Sequence, residues 1–292
     1  MQSGLPCQDL CLTDWLAPDG WGIVVLCDGA GSASQSELGA QVAANFCKTL
    51  LSESAERNGW LSSGALPTLN DWAQESARIF AAVRDHMAEE AARQACSIAD
   101  LGCTLMFALF SRQGILFGHV GDGRAAYKKS DGEWTALMNP YRGDEAGSTV
   151  FVTSSVPFDN KECFVEHRVV DGPIAALCLM SDGCEKAAFQ CNIFDEVSQT
   201  YSDPNIPHAK FLDPNVEALR SMTATGVSEK DICSRWGAFL LNGNDVLARE
   251  PDDKTMFLAA WMDGSGPIDD EKQPPVNTPA VEMQQVDEAS SG

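Results

Sequence analysis

Four aspartates in this chain are spaced for cooperative chemistry. Three of them end apolar runs and are followed by glycine: Asp28 in Val24-Val25-Leu26-Cys27-Asp28-Gly29, Asp122 in His119-Val120-Gly121-Asp122-Gly123, and Asp182 in Leu179-Met180-Ser181-Asp182-Gly183. The fourth, Asp252, opens Asp252-Asp253-Lys254-Thr255, just before Met256-Phe257-Leu258. A carboxylate at the end of a buried strand is carried to the edge of its sheet, where it can meet others. Beside it, glycine lets backbone approach closely. Clustered carboxylates repel, by about 4 kcal/mol for unit charges about 4 Å apart at an effective dielectric near 20. Such a set calls for cations, and oxygen ligands favour Mg²⁺ or Mn²⁺ over zinc. As a turn residue Asp122 is the least distinctive, since Gly-Asp-Gly also closes hairpins.

The elements that must position these residues can be read from periodicity. Residues 21–28 form a continuous apolar run, as in a strand buried on both faces. Ser34-Gln35-Ser36-Glu37 reads as a capping box, and the helix after it sets Leu38, Val42, Phe46 and Leu50 on one stripe. A second helix, from about Asn70 to Gln94, carries Trp72, Ile79, Phe80, Val83 and Met87 at helical spacing. From residue 103 the period becomes that of strands: 103–110, 115–121, 124–128, 149–153, 163–170, 174–180 and 255–261. Ser111–Gly114 and Ser130–Gly132 supply hairpin turns. Helices are expected near 213–224 and 228–241. Strands of one sheet on both sides of a helical pair predict an α+β fold, a sandwich of two antiparallel sheets flanked by helices. After residue 263 hydrophobic periodicity ends, and the Pro-, Glu- and Gln-rich segment 264–292 is expected to be a disordered, solubilising tail.

Composition narrows the partners. A net charge of −22 disfavours nucleic acid and anionic membrane, which need a basic surface. Eleven cysteines fall mostly within apolar runs, and no Cys-x-x-Cys pair occurs. They read as reduced structural thiols of a cytoplasmic protein. Neither a signal peptide nor a membrane-length apolar stretch is visible. Gly29-Ala30-Gly31 lacks the flanking residues of a nucleotide or dinucleotide loop.

In order along the chain, the motifs resemble those of the metal-dependent Ser/Thr protein phosphatases of type 2C, the PPM family. Gln8-Asp9 stands at the family's acidic pair, and Asp28-Gly29-Ala30-Gly31 at its Asp-Gly-x-Gly. Gly102-Cys103-Thr104 matches Gly-x-Thr, and Val120-Gly121-Asp122-Gly123-Arg124-Ala125 matches Val-Gly-Asp-Ser-Arg-Ala. Ser181-Asp182-Gly183 and Asp252-Asp253-Lys254-Thr255 match the closing Ser-Asp-Gly and Asp-Asn-x-Thr.

The resemblance implies a four-layer α-β-β-α catalytic domain over 1–263, with a variable flap within 183–251. It implies hydrolysis of phosphoserine or phosphothreonine in proteins by a water bridging two Mn²⁺ or Mg²⁺ ions, with a third ion position. Asp28 would bridge the metals and the Gly29 carbonyl would add a ligand. Asp182 and Asp252 would complete the second metal's shell, Asp122 with Asp182 would form the third metal position, and Asp9 would hold metal-bound water in the outer shell. The implied partner is a phosphoprotein modified by an opposing Ser/Thr kinase, and the chain is expected to be a monomer.

Departures from the family are equally specific. A histidine that protonates the leaving group is replaced by Ala30, and the phosphate-binding arginine would fall at Gly4. Arg142 is the remaining candidate for a phosphate contact. Arg124 is expected to brace its loop by pairing with a carboxylate, and His119 to be a satisfied core histidine. The family's first strand normally precedes the acidic pair, so here it is either missing or upstream. Two alternative readings are a weakly active or inactive regulatory binding module of the same fold, and a phosphatase of a small phosphorylated metabolite.

Overall fold

Leucine, valine and isoleucine on both faces of Trp21–Cys27 (β2) bury every residue of that strand, and the sheets are built around it. In the computed structural model the described residues are 7–16, 20–60, 65–141, 149–154, 165–191 and 193–262. The chain divides into a unit of Met1–Met262 and a second of Asp263–Gly292. The second unit, with the expected tail, lies outside the described residues.

Within the first unit two fully antiparallel sheets form. One has the order β1-β2-β3-β4-β7, with β1 at Leu10–Leu16, β3 at Leu105–Ser111, β4 at Gly114–Val120 and β7 at Glu166–Asp171. The other has the order β13-β8-β5-β6, with β5 at Arg124–Lys129, β6 at Trp134–Ala136, β8 at Ile174–Met180 and β13 at Met256–Ala260. Three apolar layers result. Val24, Leu26, Met106, Phe117, Leu177 and Leu179 belong to the layer between the sheets. Helices α1 (Ser36–Arg57) and α2 (Leu69–Arg93) cover the first sheet. Helices α4 (Ala209–Ala224) and α5 (Glu229–Asn242) cover the second. This is the expected α-β-β-α order. A short α3 (Glu185–Ala188) and α6 (Asp245–Arg249) complete the helices used below. Between β8 and β13, the short strands β9 (Phe189–Gln190) with β12 (Ile206–Pro207), and β10 (Ile193–Asp195) with β11 (Thr200–Ser202), form two small antiparallel pairs.

Helix α2 buries Trp72, Ile79, Phe80, Val83 and Met87 as its spacing predicts, and the Thr68 side chain caps it by accepting from the Asp71 N–H. Helix α1 differs from expectation in two ways. It starts at Ser36 with no side-chain cap, so the capping box does not form. Its buried face is also the small-residue one, Ala40, Ala43, Ala44, Cys47 and Leu51, while Leu38, Val42 and Phe46 are only partly covered. Close packing explains the choice. A Cβ at Gly39 would lie 2.0 Å from the Leu101 carbonyl oxygen, so only glycine admits that approach.

Other differences are local. The pattern of 149–153 gives no strand: Val150 and Val152 are buried, but the segment turns, and Val152 N–H bonds the Cys103 carbonyl. Strand β7 begins at Glu166, and 163–164 lie outside the described residues. Strands β1 and β6 were not foreseen, since β1 alternates poorly and β6 spans three residues. No helix among the described residues is long and apolar enough to cross a membrane.

Near the end of β4, His119 sits in the interior with both ring nitrogens unpaired, not satisfied as expected. Burial pushes its pKa down to about 3. The unfolded chain therefore binds this proton first, near pH 6.5, and stability falls as pH drops from there towards 3. Between pH 7 and pH 5 the group should cost about 2 kcal/mol. Urea unfolding of a His119→Leu variant should lack that share of the acid loss seen in the parent. For Gly39→Ala, helix propensity alone predicts a gain of about 1 kcal/mol, whereas overpacking predicts a loss of about 1–3 kcal/mol. A lower melting temperature is expected, and a higher one would show that the close approach to Leu101 is absent.

Candidate metal centre

Antiparallel register collects the carboxylates. Leu10 pairs with Cys27 and Leu105 with Val120, which brings the start of β1, the end of β2, the start of β3 and the end of β4 to one edge of the first sheet. Met180 pairs with both Arg124 and Met256, which does the same for β5, β8 and β13 in the second. Asp9 and Asp28 adjoin those strand ends, Asp122 and Asp182 lie two residues from one, and Asp252 stands four residues before β13. Gly121-Asp122-Gly123 is also the passage from one sheet to the other. Gly121 takes φ 127°, a value that L side chains resist, and a Cβ there would meet Thr104 at 2.6 Å.

Hydrogen bonds fix the loops. Thr104 Oγ1 accepts from the Asp28 N–H at 3.1 Å, and Thr104 N–H donates to the Asp28 carbonyl at 2.8 Å. The buried Ser181 hydroxyl donates to Asp9 Oδ2 at 2.7 Å and accepts from the Thr255 N–H at 3.1 Å. Asp253 Oδ2 accepts from the Gln8 N–H at 2.8 Å. Of the Asp252–Asp253 pair, Asp252 is the exposed member, and Asp253 clips the Gln8-Asp9 segment to the closing loop. Thr104, Ser181 and Thr255 lie inside recognised motifs, but their role as clamps depends on contacts 74 to 172 residues apart along the chain.

The electrostatics match a cation site. Burial, then the charges of Asp9 and Asp182, hold the Asp28 pKa well above the usual carboxylate range. Asp182 is pushed up to about 7, first by burial and then by Asp122, Asp252, Glu185 and Asp9. Burial also raises Asp9, partly offset by the Ser181 hydroxyl. Asp9 Oδ1 is buried with no hydrogen-bond partner. Among the described residues no group of three or more His, Cys, Asp or Glu side chains stands close enough together to hold a metal ion as placed. The donors are oxygens throughout, and they are short of positive charge, so Mg²⁺ or Mn²⁺ fits them.

Arg124 pairs with a carboxylate as expected: its Nε donates to Glu185 Oε2 at 2.9 Å. It also bonds Asn205 and Asp203, two partners that no local pattern announced. Arg142 and Gly4 lie outside the described residues. Ala30 is buried, its N–H bonded to the Gly102 carbonyl at 2.9 Å, so this position presents no titratable group.

Because Asp28 is costly to ionise where it stands, Asp28→Asn should raise thermal stability in chelator at pH 7. Added Mn²⁺ should stabilise the parent, by about 2.7 kcal/mol at a hundredfold excess over Kd, and the variant far less. Equal shifts in calorimetry for both proteins would remove Asp28 from the ligand set.

The chain matches the sequence model of the family described as protein phosphatase 2C over residues 1–229. It is 27% identical over 266 residues to serine/threonine-protein phosphatase 3 of Escherichia coli (strain K12), covering 90% of this chain and 94% of that protein. Among solved structures it is similar to the serine/threonine phosphatase Stp1 from Staphylococcus aureus, with TM-score 0.52 and 14% identity, covering 90% of this chain and 92% of that one. It is likewise similar to a bacterial serine phosphatase, with TM-score 0.51 and 14% identity, covering 89% and 93%. At these identities the two structures carry the fold.

Proposed function

The chain belongs to the protein phosphatase 2C family, and from that premise we propose that its strand-end carboxylates form the catalytic metal centre. The activity is metal-dependent hydrolysis of phosphoserine or phosphothreonine in proteins. Asp28, with the Gly29 carbonyl, Asp182 and Asp252 would hold two Mn²⁺ or Mg²⁺ ions. Asp122 with Asp182 would hold a third, and Asp9 would act from the outer shell. The observation that carries this reading is the convergence of these residues on one edge of both sheets, where burial and then Asp9 and Asp182 raise Asp28, and burial and then Asp122 and Asp252 raise Asp182.

When bound, the cations supply charge neutralisation for the phosphate and a water of lowered pKa. The chain's own residues hold and orient. Thr104 fixes the backbone of Asp28, Ser181 aims Asp9, and Asp253 keeps the Gln8-Asp9 segment against the closing loop. Phosphoryl transfer asks mainly for such positioning and charge balance. The substrate is a phosphoprotein, and a Ser/Thr kinase would be the opposing enzyme. The ten described cysteines are free thiols, which supports a reducing, cytoplasmic setting.

With Ala30 in place of a proton donor, leaving groups that need a proton should suffer most. Hydrolysis of p-nitrophenyl phosphate should depend on Mn²⁺ and fall by about 10²-fold or more in Asp28→Asn. Second-order rates should favour this aryl ester over a phosphoserine peptide. A parent without Mn²⁺-dependent turnover would sink the catalytic reading, and equal rates on the two substrates would sink the leaving-group argument alone.

A further inference from the structure

We propose that Arg124 is a positioning residue. It pins the base of the arm 193–206 to the loops carrying Asp122 and Asp182, and so governs phosphoprotein affinity more than turnover of a small ester. Only the kinetic half of this proposal rests on the phosphatase reading above.

Arg124 opens β5 two residues after Asp122 and is fully buried. Its guanidinium serves two clients. Nε reaches Glu185, three residues past Asp182, while Nη1 donates to Asn205 Oδ1 at 2.6 Å and Nη2 to Asp203 Oδ2. The Phe189 ring lies 5.2 Å from the guanidinium carbon. A planar fork can bind both clients at once, which a lysine ammonium cannot reproduce. The Asp203-Pro204-Asn205 turn is shaped to receive it. Asn205 takes φ 50°, its N–H bonds Asp203 Oδ1 at 3.0 Å, and its Nδ2 donates to the Met138 carbonyl at 2.7 Å.

Beyond that turn the arm has little to hold it. Among the described residues, strands β10 (Ile193–Asp195) and β11 (Thr200–Ser202) pair only with each other, and all their residues are exposed. A lone hairpin is marginal in water, so its direction must be set at its base. The arm displays Phe194 against Tyr201 at 5.0 Å, and Val197 is 95% exposed. Such a surface suits the apolar part of a macromolecular substrate. A small ester lacks the flanking chain with which a phosphoprotein could engage the arm.

Two variants separate anchor from chemistry. Asn205→Gly keeps the left-handed backbone and removes both side-chain bonds; Arg124→Lys keeps the charge and removes the fork. Amide exchange over 193–206 should quicken by about fivefold or more in both, with β2, β3 and β8 unchanged. In Asn205→Gly, KM for a phosphoprotein should rise about fivefold or more, while kcat on p-nitrophenyl phosphate stays within about twofold. Unchanged exchange over 193–206 overturns the proposal. So does a loss of kcat on the aryl ester with phosphoprotein KM unmoved. Exchange is read without turnover, so a catalytically silent parent would refute the reading of the metal centre, while exchange would still decide the anchor.

Discussion

Mutual repulsion among carboxylates at one edge of the sandwich is the constraint that the rest of this structure answers to. Asp28 and Asp182 are penalised first by burial and then by their neighbours, and every leading influence on them acts in the same direction. Folding alone gives no reason to concentrate such charges, since each is more stable apart and in water. The arrangement becomes favourable once cations occupy it, and binding energy then offsets what folding spent. On this view the protein carries a deliberate local instability, set on an otherwise apolar frame of three packed layers.

The frame makes that instability tolerable. Residues of both sheets next to the edge are fully buried, from Cys27 and Leu105 to Met180. The loops between them are tied by bonds across great sequence distance: Asp28 to Thr104, Asp9 to Ser181, Gln8 to Asp253. Each bond uses a partner that cannot itself repel a carboxylate, or that points a carboxylate at an N–H. Ser181 illustrates the economy of this design, because one hydroxyl both donates to Asp9 and accepts from the Thr255 backbone. The loops are held even where the charges would push them apart.

What the sequence made legible follows from how each signal arises. Long strands such as β2, β3 and β8 announce themselves because burial on both faces leaves an unbroken apolar run. Helix α2 does so because its large residues recur at helical spacing. Helix α1 misleads because close approach is made by small residues, Gly39, Ala40, Ala43 and Ala44, while the conspicuous Leu38, Val42 and Phe46 stand at the flank. The proposed ligands were readable because each combines an aspartate with a strand end or a strand start. Their clamps were not, since a serine or threonine in a motif carries no mark of which distant group it will meet. Asp252 and Asp253 show the limit most clearly: adjacent and identical in type, they are told apart by exposure and by the Gln8 N–H that Asp253 receives.

Histidine placement bears on the chemistry as much as the aspartates do. Of the four imidazoles, His119 is buried and held neutral far below its ordinary range, and His86 stacks on Phe46 between the two helices of the first layer. His208 lies beside the Ala187 carbonyl at the head of α4, and His167 pairs within β7 against β4. The position where the family places its proton donor is Ala30, whose backbone is already committed to Gly102. The edge therefore offers oxygen ligands and backbone donors but no imidazole. A proposed centre of that composition neutralises phosphate charge well and serves a leaving group poorly. Its rate must then depend on the acidity of the departing alcohol, and its selectivity among phosphoproteins must come from surfaces away from the edge.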